Sequence, residues 1–167
     1  MRPARAYSGD CVHDIPLRSG DLVWTLFPYE SEPDRPGPIR HAACIIAVFT
    51  QQVAAIATSA PVTRRGLVVG VYTSSRVEKF GTALPIGVIQ VTAERATKTG
   101  GQSPFFIDVR KRAFIPFTRR FFPEINAPGH GVIGPADKGL FKEIIKQYRL
   151  INERHPESIV NIGPLRP

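Results

Sequence analysis

Cysteine, methionine and tryptophan are scarce in this 167-residue chain, which holds two, one and one of them. Two cysteines, Cys11 and Cys44, make no disulfide framework, and neither stands at a metal-binding spacing. Cys44 lies in the apolar run AACIIAV and reads as a small core residue. Long hydrophobic runs are missing too. The longest uncharged stretch, His41 to Thr63, is broken by Gln51, Gln52 and Pro61 and carries strand-forming residues, so no membrane span is expected. The opening MRPARAYSGDCVHD has no apolar segment and does not read as a signal peptide, which points to the cytoplasm. The histidines, His13, His41, His130 and His155, are scattered, so no metal cage and no cofactor is expected. There is no G-x-S-x-G, phosphate loop, C-x-x-C or H-E-x-x-H.

What is present suits one globular domain. Apolar residues make up 43% and charged residues 22%, enough to bury a core. The net charge of +8 points to an anionic partner, most commonly nucleic acid, although a basic surface also serves solubility alone. Residues 1–18 read as a flexible N-terminal arm, 19–151 as a single domain, and 152–167 as a flexible tail carrying Pro156, Pro164 and Pro167.

Within the domain, short strands dominate. DLVWTLF (21–27) is an aromatic and aliphatic strand ended by Phe27-Pro28, and a charged, proline-rich loop follows to Ile39. Ala42 to Phe49 is apolar on both faces, as a central strand would be. The alanine-rich stretch from Thr50 to Arg65 reads as a hairpin insertion. GLVVGVYT (66–73) is a strand whose Gly70 marks a bulge or a close backbone approach. GVIQVT (87–92) and FFIDV (105–109) are shorter strands, and Ala113 to Thr118 is an edge strand interrupted by Pro116. One helix is predicted, in GPADKGLFKEIIKQYRLI, with Pro135 at its start. Phe141, Ile144, Ile145, Tyr148 and Ile151 form its apolar stripe. The pattern therefore predicts a mainly β fold with α, a small antiparallel barrel or sandwich with a C-terminal amphipathic helix.

Polar residues gather at the strand ends. Arg40 and His41 precede one core strand, Thr73, Ser74, Ser75 and Arg76 follow another, and Glu30, Glu32 and Asp34 lie in the loop. A guanidinium grips phosphate through two parallel hydrogen bonds and cannot lose its charge. Hydroxyls can donate to a developing oxyanion, and a carboxylate or histidine can exchange protons. These groups suffice for metal-free RNA cleavage, in which a 2′-hydroxyl attacks the adjacent phosphate. TSSR is equally the pattern of a solvated turn. A second feature is RKRAFIPFTRRFF (110–122), where Arg110, Lys111, Arg112, Arg119 and Arg120 alternate with phenylalanines. Basic grooves with aromatic platforms hold single-stranded nucleic acid, and Arg76 and Lys79 would extend such a groove. The same alternation also describes a strand with core phenylalanines and a wet basic face.

GDLVW, FPY, SE and PGPIRHAACIIAV, in that order, resemble the N-terminal signature of the MazF/PemK toxin endoribonucleases. GVYTSS resembles that family's strand ending in Thr-Ser, and GVIGPADKGLFKEIIKQYRLI its closing turn and helix. The resemblance implies an SH3-like antiparallel β-barrel of the MazF/PemK/CcdB kind, acting as a homodimer. It implies metal-independent cleavage of a single-stranded RNA substrate and restraint by a cognate antitoxin. The active-site arginine falls on Arg40 and the threonine on Thr73, with Ser74 beside it and the acidic position on Glu32. The family's Arg-Pro becomes Arg40-His41 here, and the preceding loop is longer. His41 either transfers protons near neutral pH or is a tolerated strand-start residue. A second reading on the same fold is a non-catalytic binder, either a CcdB-like gyrase poison or a degenerate binder of nucleic acid or antitoxin. A third is a plain nucleic-acid-binding barrel.

Overall fold

Alternating apolar residues set most of the backbone. The computed structural model describes residues 17–53, 63–76, 80–101, 103–124 and 131–165. The strands are β1 (Asp21–Thr25), β2 (His41–Val53), β3 (Thr63–Ser74), β4 (Val88–Val91), β5 (Phe105–Pro116), β6 (Val132–Pro135) and β7 (Val160–Ile162). Helix α1 (Ala93–Lys98) follows β4, and α2 (Lys138–Arg154) follows β6. They form one sheet in the order β4-β5-β3-β2-β1-β6, antiparallel throughout that path, with β7 added parallel to β5. Most of the expected hairpin insertion, residues 54–62, and most of the expected arm, residues 1–16, lie outside the described residues.

The sheet is curled. Helix α1 hangs from β4 at one end of the strand order, yet its C-terminal turn presses on β6 at the other. A Cβ on Gly100 would collide with the Ile133 carbonyl, and one on Gly134 with the Thr99 carbonyl. Gly100 also has φ +84°, so glycine is required twice over. Arg95 of α1 then reaches α2, pairing with Glu143 at 2.9 Å and Asp137 at 3.8 Å.

Period-2 alternation gives the sheet two apolar faces. One carries Leu22, Cys44, Val71, Ile89, Ile107 and Val109 and packs on Leu140, Ile144 and Ile151 of α2. The other carries Val23, Ala43, Ile45, Val68, Ala113 and Ile115 and is closed by Phe27, Phe117, Phe121, Phe122 and Ile162. Ala43 to Ile45 of β2 are apolar on both faces because both are covered there, as the sequence suggested, whereas Phe49 further along is exposed. The expected bulge is present opposite Gly70: β2 slips register between Ile45 and Ala47 there.

Several expectations need correction. Pro135 does not start the helix; it ends β6, opposite Asp21. Asp137 caps α2 instead, its carboxylate accepting from Leu140 N at 2.9 Å. The separate strands expected at 105–109 and 113–118 are one strand, β5, with Pro116 at its end. The loose tail expected from 152 is built into the fold: α2 runs to Arg154, residues 156–158 form a 3₁₀ turn, and β7 pairs with β5. The short helix α1 was not expected at all. Among the described residues, no helix is long and apolar enough to cross a membrane.

Candidate functional site

The loop between β1 and β2 folds back on itself before it delivers Arg40 and His41. Glu32 N donates to Tyr29 O at 3.1 Å, Arg35 N to Glu32 O at 3.2 Å, and Gly37 N to Leu26 O at 3.1 Å. Gly37 lies so close to the Phe27 carbonyl that a Cβ would strike it. The long loop is therefore braced against the end of β1, and the start of β2 is held where the sheet ends.

From there the two neighbours part. His41 opens β2 opposite Thr25, whose hydroxyl donates to Phe121 O at 2.9 Å. The imidazole Nε2 lies 3.5 Å from the Tyr29 hydroxyl, the outer limit of a hydrogen bond. Its ring stands 5.5 Å from Tyr72, which in turn packs 5.4 Å from Phe27. The Lys111 ammonium lies 5.7 Å from the Tyr72 ring centre and 2.6 Å from Glu30. All but the exposed Glu30 of this imidazole–phenol–ammonium group are half-buried.

Arg40 turns to the other side. Its guanidinium lies over the Trp24 ring, 4.6 Å from the centre, and donates to Glu124 at 2.7 Å. The side chain is 56% exposed, so the ion pair contributes under about 1 kcal/mol and is open to exchange with another anion. Thr73 lies on this same face, paired with Ile107. Its hydroxyl donates to Ala42 O at 2.6 Å, and the residue is 4% exposed. Across the sheet, Trp24, Ala42 and Thr73 stand in consecutive strands, so Thr73 is two strand spacings, about 10 Å, from Trp24.

The sequence-predicted site is thus brought together only in part. Arg40 and Thr73 share a face, but Thr73's proton is already committed to the backbone. His41 lies on the opposite face. Glu32 is exposed in the loop, 3.8 Å from Arg35, and Ser74 is buried and accepts from Arg76 N at 3.2 Å. Tyr29 and Tyr72 were missed. Tyr72 had a signal, since it directly precedes Thr73 and so faces the other way, toward His41.

Within the expected RNA-binding stripe, Arg110 and Arg112 are built into the fold. Residues 109–111 have no partners on β3, because Val71 pairs with Arg112 and Tyr72 with Asp108. Side chains brace this bulge. Arg110 donates to the buried Asp108 carboxylate at 2.8 and 2.9 Å, which raises the arginine's pKa. Arg112, 4% exposed, donates to Val109 O at 2.9 Å and Asn152 Oδ1 at 2.6 Å and lies 3.8 Å from the Tyr148 ring centre. Desolvation lowers its pKa. Phe106, Phe117, Phe121 and Phe122 are core rings rather than stacking platforms. Arg76, Arg119 and Arg120 are exposed, and Lys79 lies outside the described residues.

Among the described residues, no group of three or more His, Cys, Asp or Glu is placed to hold a metal. No family model matches the sequence, and no curated protein matches it at a significant level. Fold and site together define a mainly β protein with a curled antiparallel sheet, two helices, and an arginine and a histidine on opposite faces at the sheet's end.

Proposed function

We propose that this protein is a toxin-like endoribonuclease of the MazF/PemK kind, built on an SH3-like barrel and cleaving single-stranded RNA without metal. The observation that carries the reading is the placement of Arg40 and His41 at the end of a braced loop, one on each side of the sheet's edge. One presents an exposed guanidinium; the other presents an imidazole beside Tyr29 and Tyr72. RNA laid across this edge would exchange Glu124 for a phosphate on Arg40. The His41 imidazole takes the proton of the 2′-hydroxyl as its oxygen attacks phosphorus. Arg40 stabilises the added charge, and the imidazolium returns the proton to the departing 5′ oxygen. The products are a 2′,3′-cyclic phosphate and a 5′-hydroxyl. Thr73 acts here by holding the Ala42 carbonyl and thus the start of β2. The reading includes a cytoplasmic homodimer restrained by a cognate antitoxin.

The test is cleavage of an unstructured RNA in EDTA. Arg40→Ala and His41→Ala should each lower the rate roughly 100-fold, the usual cost of losing one preorganised donor, with unfolding nearly unchanged. Undiminished cleavage by the folded double variant would remove both residues from the chemistry. A second reading, a non-catalytic binder on the same fold, is favoured by the buried, committed hydroxyl of Thr73 and by the structural roles of Arg110 and Arg112. It predicts RNA or protein binding with no cyclic-phosphate product, and toxicity that survives Arg40→Ala.

A further inference from the structure

Helix α2 carries more apolar surface than the core uses. Leu140, Ile144 and Ile151 are buried against the sheet. Phe141 and Ile145, expected in the same stripe, are only half-buried, as is Leu150. These three line a shallow, open groove along the outer face of α2, whose lining comes from that helix alone. Its rim carries Lys142, Lys146, Arg149 and Arg154 against one carboxylate, Glu153. Among the described residues, no ion pair engages any of the four cations. Lys142 and Lys146 are four residues apart and Lys146 and Arg149 three, spacings at which like charges weaken a helix. The helix therefore carries a charge pattern that its own stability disfavours.

We infer that this groove docks an acidic, amphipathic helical segment of a partner protein. The apolar side of such a segment would cover Phe141, Ile145 and Leu150, and its carboxylates would meet the cationic rim. Charge selects this occupant. A second copy of the chain, packed two-fold on this face, would set the same cations against one another. Single-stranded RNA needs successive aromatic platforms, and the groove offers one ring, Phe141. The inference does not rest on the nuclease reading. Phe141 packs where β1 begins, 3.4 Å from the position of a Cβ on Gly20, whereas His41 pairs with Thr25 where β1 ends.

The probe is a fluorescein-labelled peptide of about 15 residues, some four helical turns, with leucines on one face and glutamates on the other. Anisotropy should report saturable binding to the full chain. Lys146→Glu with Arg149→Glu should weaken it at least about tenfold without lowering the urea unfolding midpoint, since both side chains are exposed and Lys146→Glu relieves the repulsion from Lys142. Ile145→Gln should weaken it separately, showing that contact as well as charge is read. Four results would overturn the inference. They are no binding up to roughly millimolar peptide, equal binding of a scrambled peptide of the same composition, preferential loss of a single-stranded RNA or of anionic vesicles from the charge-reversal variant, and a homodimer that the same variant dissociates. RNA cleavage, measured in parallel, should be unchanged by these substitutions, so failure here and failure of the nuclease reading are separable.

Discussion

Replacing Arg112 with methionine separates a binding patch from a piece of the fold. The guanidinium makes two good hydrogen bonds, to Val109 O at 2.9 Å and Asn152 Oδ1 at 2.6 Å, and stacks on Tyr148. Bonds from a charged donor are worth about 1.5–3 kcal/mol each, and a desolvated cation–π contact about 2 kcal/mol. Methionine fills much of the space and removes the need to keep a charge out of water, which returns a few kcal/mol. The Val109 carbonyl, in the part of β5 that β3 does not pair, then loses the donor described for it. The balance is a loss of about 2–3 kcal/mol, or roughly 5–10 °C in Tm. Urea unfolding followed by the fluorescence of Trp24, the single tryptophan, measures it. Arg119→Met, on an exposed turn, should stay within about 0.5 kcal/mol. The reasoning fails if Arg112→Met unfolds like the wild type while weakening RNA binding and flattening its salt dependence.

Two further outcomes follow from the same structure. The Cys44 thiol is pushed from 9.0 to about 12, first by burial and then by the Asp21 carboxylate. Between those values the unfolded state releases the proton and the folded state keeps it, so stability falls as pH rises, at up to about 1.4 kcal/mol per pH unit. Cys44→Ala should remove that slope, and mass spectrometry of the native protein at pH 8 should find Cys44 unalkylated. Gly100→Ala should cost at least about 2 kcal/mol, read by urea unfolding, because it meets a positive φ and the Ile133 carbonyl together. A smaller loss would mean that α1 does not press on β6 as described.

Where the sequence was legible, it was legible through periodicity. DLVWT, AACIIAV and GLVVGVYT alternate or run apolar as strands do, and the apolar spacing of α2 repeats for long enough to identify a helix. Helix α1 was not legible because its six residues are too few to show a period, and its only mark was Thr92 as a cap. Residues 105–118 read as two strands in the sequence because RKR interrupts the apolar alternation. Those charges are accommodated by a bulge whose partners, Asp108 and Asn152, come from two different elements.

By itself the sequence determined the strand-forming segments, the amphipathic helix and the place where Arg40 and His41 must stand, since each follows from neighbours a few residues away. Tertiary structure alone decided which charges are available. Arg110, Arg112 and Arg119 read alike in the sequence. Only the fold commits the first to Asp108, buries the second against Tyr148 and leaves the third in water. It also brought Tyr29 and Tyr72, from two separate segments, beside His41. Which groups share a site depends on strand order and register, and these are settled by contacts between residues far apart along the chain.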